Sequence, residues 1–369
     1  MLKIPSDFQY RVPSLTEHAD FRKYIETLPD IDSPEISGLH PNADLTFRVK
    51  EATSLFQTLG ETQPKGGCVG GGISREDIVY EKCSELLSRL PENYIEDVFK
   101  AKIKKLGGMT EPMNIFLYQE VQRLQAVLEK VRFTMEQLQL AIKGEVVMTA
   151  ELQETLDSIF DAKVPFYWEN TLTGDEFSWR LPTLGLWFTS LLNRDTQYRS
   201  WLDNGSPKSF WLTGFFNPNG CLTAMKQDVT RKHRSERWAL NDIVYHTEVT
   251  SFERIEQIKN LPNEGMYIHG LFLEGAAWSK QEGILVESQP KVLFVPLPVL
   301  FISGNTKKNE EKSRKEMFGC IGPYECPVYK YGNRTDKNLI FFANLKCTEE
   351  NYPKKWVLRG TALLCNTQV

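Results

Sequence analysis

Pro112–Gly144, "PMNIFLYQEVQRLQAVLEKVRFTMEQLQLAIKG", decides how the rest of the chain is organised. Leu117, Val121, Leu124, Leu128, Val131, Met135, Leu138 and Ile142 follow one another at intervals of four and three. That is the period of one face of an α-helix; a strand, with period two, cannot keep it. Pro112 stands near the start and Gly144 just past the end, as helix termini require. The spacing predicts a helix of about 30 residues, roughly 45 Å long. An unbroken apolar stripe of that length is read as a seam for neighbouring helices rather than as a ligand site.

The flanking sequence supplies those neighbours. Ser74 and Asp77 stand in capping-box spacing ahead of a stripe of Ile78, Val79, Cys83, Leu86, Leu87 and Leu90, interrupted by Lys82. Asn93 and Glu96 form the same start signal for a helix that stops at Gly107. A shorter helix is expected from Thr149 to about Lys163, with Leu152, Leu156, Ile159 and Phe160 on its apolar face. Val164-Pro165 then breaks the pattern, because the residue before proline is pushed out of the α region. All eight tryptophans lie at or beyond Trp168, so composition changes at the same place, and a domain boundary is expected there.

Beyond it, helices are predicted near Leu184–Asp203 and Leu222–His233, and then strands. The candidates are Asp242–Val249, Met266–Gly275, Lys291–Ile302, Cys326–Tyr331, Asn338–Leu345 and Trp356–Leu364. They are rich in β-branched and aromatic residues and separated by turn residues, a pattern of a small antiparallel barrel or sandwich. The fold class is therefore α+β. Between Ser303 and Tyr324, eight of the twelve residues Asn305–Glu316 are charged, and the stretch reads as a solvated hairpin excursion or a disordered loop, with a binding loop as the alternative.

The chain has 369 residues, 41% of them hydrophobic, enough for more than one core. Net charge is −4 with both signs mixed, and no segment carries the basic excess of a nucleic-acid binder. The opening "MLKIPSDFQYRVPSL" lacks the apolar core of a signal peptide. The longest apolar run, Val292–Ile302, has eleven residues and two prolines, too short to span a bilayer as a helix. Seven dispersed cysteines fit a reduced intracellular compartment better than a disulfide framework.

The most suggestive chemical motif is Gln63–Asp77, "QPKGGCVGGGISRED", with five glycines between Gly66 and Gly72. A phosphate-binding loop needs glycines for its backbone N–H groups, then a lysine and a hydroxyl. Aligning Gly66 and Gly71 on that motif puts Gly72 and Ile73 where the lysine and hydroxyl must be. The preceding sequence also reads as a helix end, not a strand, so a flexible connector is expected. His18, His40, His233, His246 and His269 are scattered without paired spacing, and Cys320 and Cys326 have no second pair for a zinc ribbon. There is no GxSxG elbow. Cys221 begins a helix but has no identifiable base, and reads as a small buried apolar residue. Arg231–Arg234, "RKHR", falls at a helix C-terminus, where cations complement the dipole. Phe210, Trp211, Phe215 and Phe216 are too dense for a surface loop and read as core or an interface between domains. No residue is assigned as catalytic, cofactor-binding or metal-ligating.

Six blocks, taken in order, resemble the C-terminal end of a dynein heavy chain. They are Leu28–Asp44, "SFWLTGFFNPNGCLTAMKQDVTR" (Ser209–Arg231), "GMYIHGLFLEGAAW" (Gly265–Trp278), Leu285–Leu300, Cys326–Tyr329 and Trp356–Cys365. "TGFFNPNG" and "GLFLEGAAW" are similar to axonemal dyneins, most of all the outer-arm type. The resemblance implies that residues 1–60 are the tail of the small helical domain of the sixth AAA+ module, and 61–73 a Gly-rich connector. Residues 74–170 would be the helical part of the C-terminal domain, and 171–369 its helices plus an incomplete β-barrel lying on the AAA+ ring.

It implies a non-catalytic module that braces the ring and modulates an ATP-driven, microtubule-based motor of the ciliary or flagellar axoneme. Its expected partners are the AAA+ ring modules of the same heavy chain and the dynein complex subunits. Microtubules are engaged only indirectly, and neither nucleic acid nor membrane is a partner. ATP and Mg would bind upstream, with no cofactor in this region. By the same resemblance Met1 begins inside a domain, of a longer polypeptide or a truncated gene product. Ser37 stands where the family has a large aromatic, Cys221 where it has Phe, and Asn219 where it has Gln. The alternative is a free-standing ciliary adaptor that uses the barrel and aromatic surface to bind a partner.

Overall fold

A computed structural model describes residues 14–28, 34, 39–62, 74–349 and 352–367. Ser37 and most of the Gly-rich connector, from Gln63 to Ile73, lie outside the described residues. Among the described residues, α1 (His18–Glu26) and α2 (Asn42–Thr62) come first, α2 extending over the first two residues of the expected connector. Then follow α3 (Arg75–Arg89), α4 (Glu96–Lys105), α5 (Pro112–Ile142), α6 (Ala150–Phe160), the short α7 (Phe166–Glu169) and α8 (Leu184–Asn204).

The apolar seam is a single helix of 31 residues with Pro112 in its first turn. Leu117, Val121, Leu124, Leu128, Val131, Met135 and Leu138 are all fully buried along it. Helices α3, α4, α6, α7 and α8 pack around α5. The Ser74 capping box forms, with the Asp77 N–H donating to Ser74 Oγ at 3.1 Å. Thr149 and Thr183 cap α6 and α8 in the same way.

The second start signal does not form a cap. Helix α4 begins after Ile95, two residues past Asn93, so Glu96 is its first residue and no side chain caps it; the Glu96 carboxylate accepts from the Tyr118 hydroxyl at 2.9 Å and pairs with Lys100.

The remainder alternates strands with α9 (Pro218–Lys232), α10 (Lys307–Phe318) and α11 (Pro353–Leu358). The strands are β1 (Phe210–Trp211), β2 (Ile243–Val249), β3 (Met266–His269), β4 (Phe272–Glu274), β5 (Ala277–Ser279), β6 (Ile284–Val286), β7 (Phe294–Pro296), β8 (Leu300–Thr306), β9 (Tyr324–Tyr329), β10 (Leu339–Leu345) and β11 (Ala362–Leu364). They form a four-stranded sheet, β1-β3-β8-β2, a five-stranded sheet, β10-β9-β11-β4-β7, and the hairpin β5-β6. Pairing is antiparallel except β1 with β3 and β11 with β9. The α+β class and the mainly antiparallel pairing are thus as expected, the two parallel pairings are not, and the described strands do not close into one cylinder.

Two stretches expected as single strands are each split between the sheets. Met266–Gly275 breaks at Gly270, whose φ is +80° and where a Cβ would meet Trp211 Cδ1 at 2.9 Å. Lys291–Ile302 breaks at Leu297–Val299, between Pro296 and β8. The two breaks face each other, tied by the Leu297 N–H donating to Leu271 O at 2.9 Å, so the backbone turns a corner from one sheet into the other. On the opposite side β2 and β10 meet without a ladder. The Asn344 N–H donates to Thr247 Oγ1 at 2.8 Å and the rings of Tyr245 and Phe341 lie 6.3 Å apart.

Two further readings are corrected. Asn305–Glu316 is not a hairpin excursion or loop; its charges are good helix formers, Thr306 caps the Asn309 N–H, and α10 results. Trp356–Leu364 is not one strand, since Pro353 starts α11 and the backbone turns at Gly360, φ +64°.

Gly265 offers a sharp test of the sheet geometry. Its φ is +80°, and a Cβ there would sit 2.3 Å from Ile302 O and 2.7 Å from Ser303 Cβ. Gly265→Ala is expected to cost about 2 kcal/mol in urea unfolding, from left-handed strain and forced separation of β3 from β8. A change below about half a kcal/mol, the ordinary surface range, contradicts this packing.

Candidate functional site

The seam helix carries one residue that the apolar pattern conceals. Glu120 lies three after Leu117 and four before Leu124, so it falls on the buried face and is 1% exposed. Its Oε2 accepts from the Phe216 N–H at 2.6 Å and from the Tyr198 hydroxyl at 2.8 Å, and its Oε1 from the Asn217 N–H at 3.1 Å. Asn217 caps α9, so the carboxylate occupies the positive end of that helix. Burial raises the Glu120 pKa, and the two N–H groups and the tyrosine hydroxyl partly oppose that shift.

The same loop is gripped from α8. Arg194, 2% exposed, donates to Gly214 O and, at 2.8 Å, to Thr213 O. Its guanidinium lies 4.1 Å from the Trp179 ring centroid, and Trp179 stacks on Trp187. Burial pulls the Arg194 pKa down and pushes that of Tyr198 well up. Thr213 Oγ1 donates to Cys365 O at 2.6 Å, and Lys330, just past β9, donates to Phe216 O at 3.3 Å. Thr213–Asn217 therefore joins α5, α8, α9 and the five-stranded sheet through hydrogen bonds in the interior. A second buried contact ties α8 to the helices, where the Tyr94 hydroxyl donates to Asp195 Oδ1 at 2.7 Å and Arg199 pairs with Asp195 at 2.8 Å.

The aromatic cluster evident in the sequence surrounds this junction. Phe215 is fully buried, edge-on to Phe116 with centroids 4.9 Å apart and stacked on Tyr198. Phe210 packs edge-on against Trp201 at 5.0 Å. Trp211 and Phe216 are half-buried. The cluster is an internal interface between the helices and the sheets. One contiguous apolar core runs from Val79 to Cys365.

The other candidates are dispersed. Cys221 is fully buried on α9 with its Sγ 4.0 Å from Met266 Sδ, and burial drives its thiol pKa well up, away from thiolate chemistry. Cys326 is buried in β9, whereas Cys320 is exposed. His18 is exposed on α1. His40 meets Ser288 O at 3.1 Å, His233 lies between Glu236 and Glu264, His246 meets Glu310 at 2.8 Å, and His269 meets Ser209 Oγ at 2.9 Å. The four described pairings are on different elements. Arg231 and Lys232 end α9, with Arg231 donating to Thr110 O and Lys232 to Asn263 O at 3.1 Å. Among the described residues, no group of three or more His, Cys, Asp or Glu is placed to hold a metal ion, and no helix is long and apolar enough to cross a membrane.

The arrangement is one of positioning. Its donors and acceptors hold a loop between two structural layers. Glu120 escapes a reading of the sequence because a lone carboxylate beside Val121 looks like part of the polar face; its three-four spacing from Leu117 and Leu124 is the signal that marks it.

Comparison with known proteins places this architecture. Residues 49–365 match the family described as the C-terminal domain of the dynein heavy chain. The protein is 43% identical over 361 residues to mouse Dynein axonemal heavy chain 5, covering 97% of this chain and 7% of that protein. It is 42% identical over 359 residues to human Dynein axonemal heavy chain 8, covering 97% of this chain and 8% of that protein. The Dynein gamma chain, flagellar outer arm, of Chlamydomonas reinhardtii is 43% identical over 361 residues, with 97% of this chain and 8% of that protein covered. The sequence thus spans less than a tenth of the length of these relatives. It belongs to the family of C-terminal domains of dynein heavy chains.

Proposed function

We propose that the protein is a non-catalytic structural and regulatory module of an axonemal dynein motor, bracing an AAA+ ring of the same heavy chain and modulating its output. The observation that carries this reading is α2. Its start is bonded to the sheet body: Asn42 Nδ2 donates to Val292 O at 2.8 Å, and the Lys291 N–H donates to Asn42 Oδ1 at 2.8 Å. Yet Phe47, Leu55, Phe56 and Leu59 along the same helix are 65%, 59%, 71% and 51% exposed. An element fixed at one end with a row of exposed large apolar side chains is suited to join this body to further structure. The preceding ring module is the cover this reading supplies.

The same proposal divides the sequence into the tail of a sixth AAA+ module (1–60), a connector (61–73), a helical part (74–170) and helices plus an incomplete β-barrel (171–369). The corner at Gly270 and the unladdered β2–β10 edge favour an open barrel over a sandwich. Location in a ciliary or flagellar axoneme and membership of a dynein complex belong to this reading, as does ATP binding upstream.

The test uses a full-length motor. Deleting 171–369, or breaking the clamp with Asn42→Ala, is expected to alter microtubule gliding velocity or ATPase rate. The isolated 369-residue protein is expected to show no ATPase activity. Unchanged motor output in both variants, or fragment ATPase abolished by a substitution within it, overturns the proposal.

A further inference from the structure

Helix α9 ends on the basic run Arg231–Arg234, and the chain continues with Ser235, Glu236 and Arg237. Four of the seven residues Arg231–Arg237 are arginine or lysine, and they flank Ser235 on both sides. Arg234–Glu236 forms a single 3-10 turn, closed by Arg237 at a φ of 59°. Ser235, Arg234 and Arg237 are all exposed. Among the described residues the Ser235 hydroxyl has no hydrogen-bond partner, and neither arginine forms an ion pair.

The turn is pinned on either side of the serine. His233 stacks on Trp238 with ring centroids 3.9 Å apart, and lies between Glu236 and Glu264. Between those anchors the bonds are local. The Glu236 N–H donates to His233 O at 3.0 Å and the Arg237 N–H to Arg234 O at 3.2 Å, and the segment belongs to no sheet. It can therefore extend at little cost, as a serine must to enter a kinase cleft. Thr230 adjoins the same cations in sequence, but it is half-buried within α9 and its Oγ1 donates to Lys226 O at 2.7 Å. To present Thr230, the helix itself must unwind.

We propose that Ser235 is a phosphorylation site for a serine/threonine kinase that reads basic residues on both sides of its target. Lys232, three residues before the serine, and Arg237, two after it, supply the cations that acidic groups on such a kinase recognise. Ser235 Oγ attacks the γ-phosphorus of the kinase's ATP and the bond to the β-phosphate oxygen breaks. ADP leaves, and the hydroxyl proton passes to the kinase's catalytic aspartate. The product carries about −1.5 to −2 charge, and Arg234 and Arg237 in the same turn are free to pair with it. The modification thus offsets the positive charge at the end of α9. The site is separate from α2 and does not depend on the motor reading.

The test incubates the folded 369-residue protein with the catalytic fragment of protein kinase C and magnesium ATP, followed by intact mass and peptide mapping. One phosphate, on Ser235, is expected, and Ser235→Ala is expected to abolish its incorporation. Arg237→Gln, at an exposed position without an ion pair, is expected to slow incorporation about threefold, the loss of one exposed charge contact, and to leave urea unfolding unchanged. No incorporation into the folded protein, incorporation that Ser235→Ala leaves unchanged, or modification of Ser235 only after unfolding in urea overturns the proposal. An unchanged rate in Arg237→Gln overturns the reading of cations on both sides.

Discussion

Glu120→Ala is expected to destabilise the protein by about 4 kcal/mol, since it leaves buried donors without an acceptor. The Phe216 and Asn217 N–H groups lose their carboxylate, and the buried Arg194 loses a nearby counter-charge. The Tyr198 hydroxyl is spared because Gly214 O, at 2.8 Å, remains as its acceptor. Glu120→Gln keeps the shape and one acceptor oxygen but turns an amide N–H₂ toward one backbone donor, and is expected to cost about 2 kcal/mol. Urea unfolding followed by tryptophan fluorescence measures both.

The glutamine variant also carries a pH signature. The folded-state pKa of Glu120 is raised by burial, so the native state holds this proton more tightly than the unfolded state. Its contribution is therefore largest at low pH and declines as pH rises from the ordinary carboxyl value through the raised one. The gap between the parent and Glu120→Gln should narrow over that window. A Glu120→Ala cost below about 1 kcal/mol, the centre of ordinary single substitutions, is incompatible with the junction described.

His269 is expected to make the protein acid-sensitive through a different mechanism. It lies in β3 beside β1 with Ser209 Oγ at 2.9 Å, and burial pulls its pKa down to about 4, with Glu256 opposing weakly. The neutral ring is therefore the folded form. Its contribution to stability is complete above the unfolded value near 6.5 and is lost as pH falls through that value toward about 4. Between neutral pH and pH about 4.5 the loss amounts to roughly 2–3 kcal/mol. His269→Asn, which preserves a polar atom near Nδ1 but does not titrate, should remove that part of the acid slope. If parent and variant lose stability in parallel over this range, His269 is not the group responsible.

The two experiments bear on the parts of the molecule that differ most in legibility. The α5 seam is readable because a helix of 31 residues imposes one period on its buried face over many turns. The Ser74 cap is readable because its two hydrogen bonds are local to four residues. The strands at Ile243–Val249 and Leu339–Leu345 are readable from β-branched and aromatic runs of sufficient length. The charged run at Asn305–Glu316 misleads because a solvated loop and an exposed helix share a composition; the Thr306 cap and the docking of Glu310 on His246 favour the helix. Asn93 misleads because the helix starts two residues later than that spacing implies, with Ile95 in the cap position and Glu96 as the first helical residue.

The sequence by itself determined the α+β class, the long central seam, the absence of a phosphate-loop lysine beside the glycines, and the family resemblance. All of these depend on residues close together in sequence or on ordered blocks. Only the tertiary structure decided that Gly270 and Leu297–Val299 form one corner, that β2 and β10 meet without a ladder, and that Glu120 grips the N-terminus of α9 from 96 residues away. Those features arise from pairings between distant segments. They depend on where strands end and which donors are left over, and neither a period nor a composition encodes that.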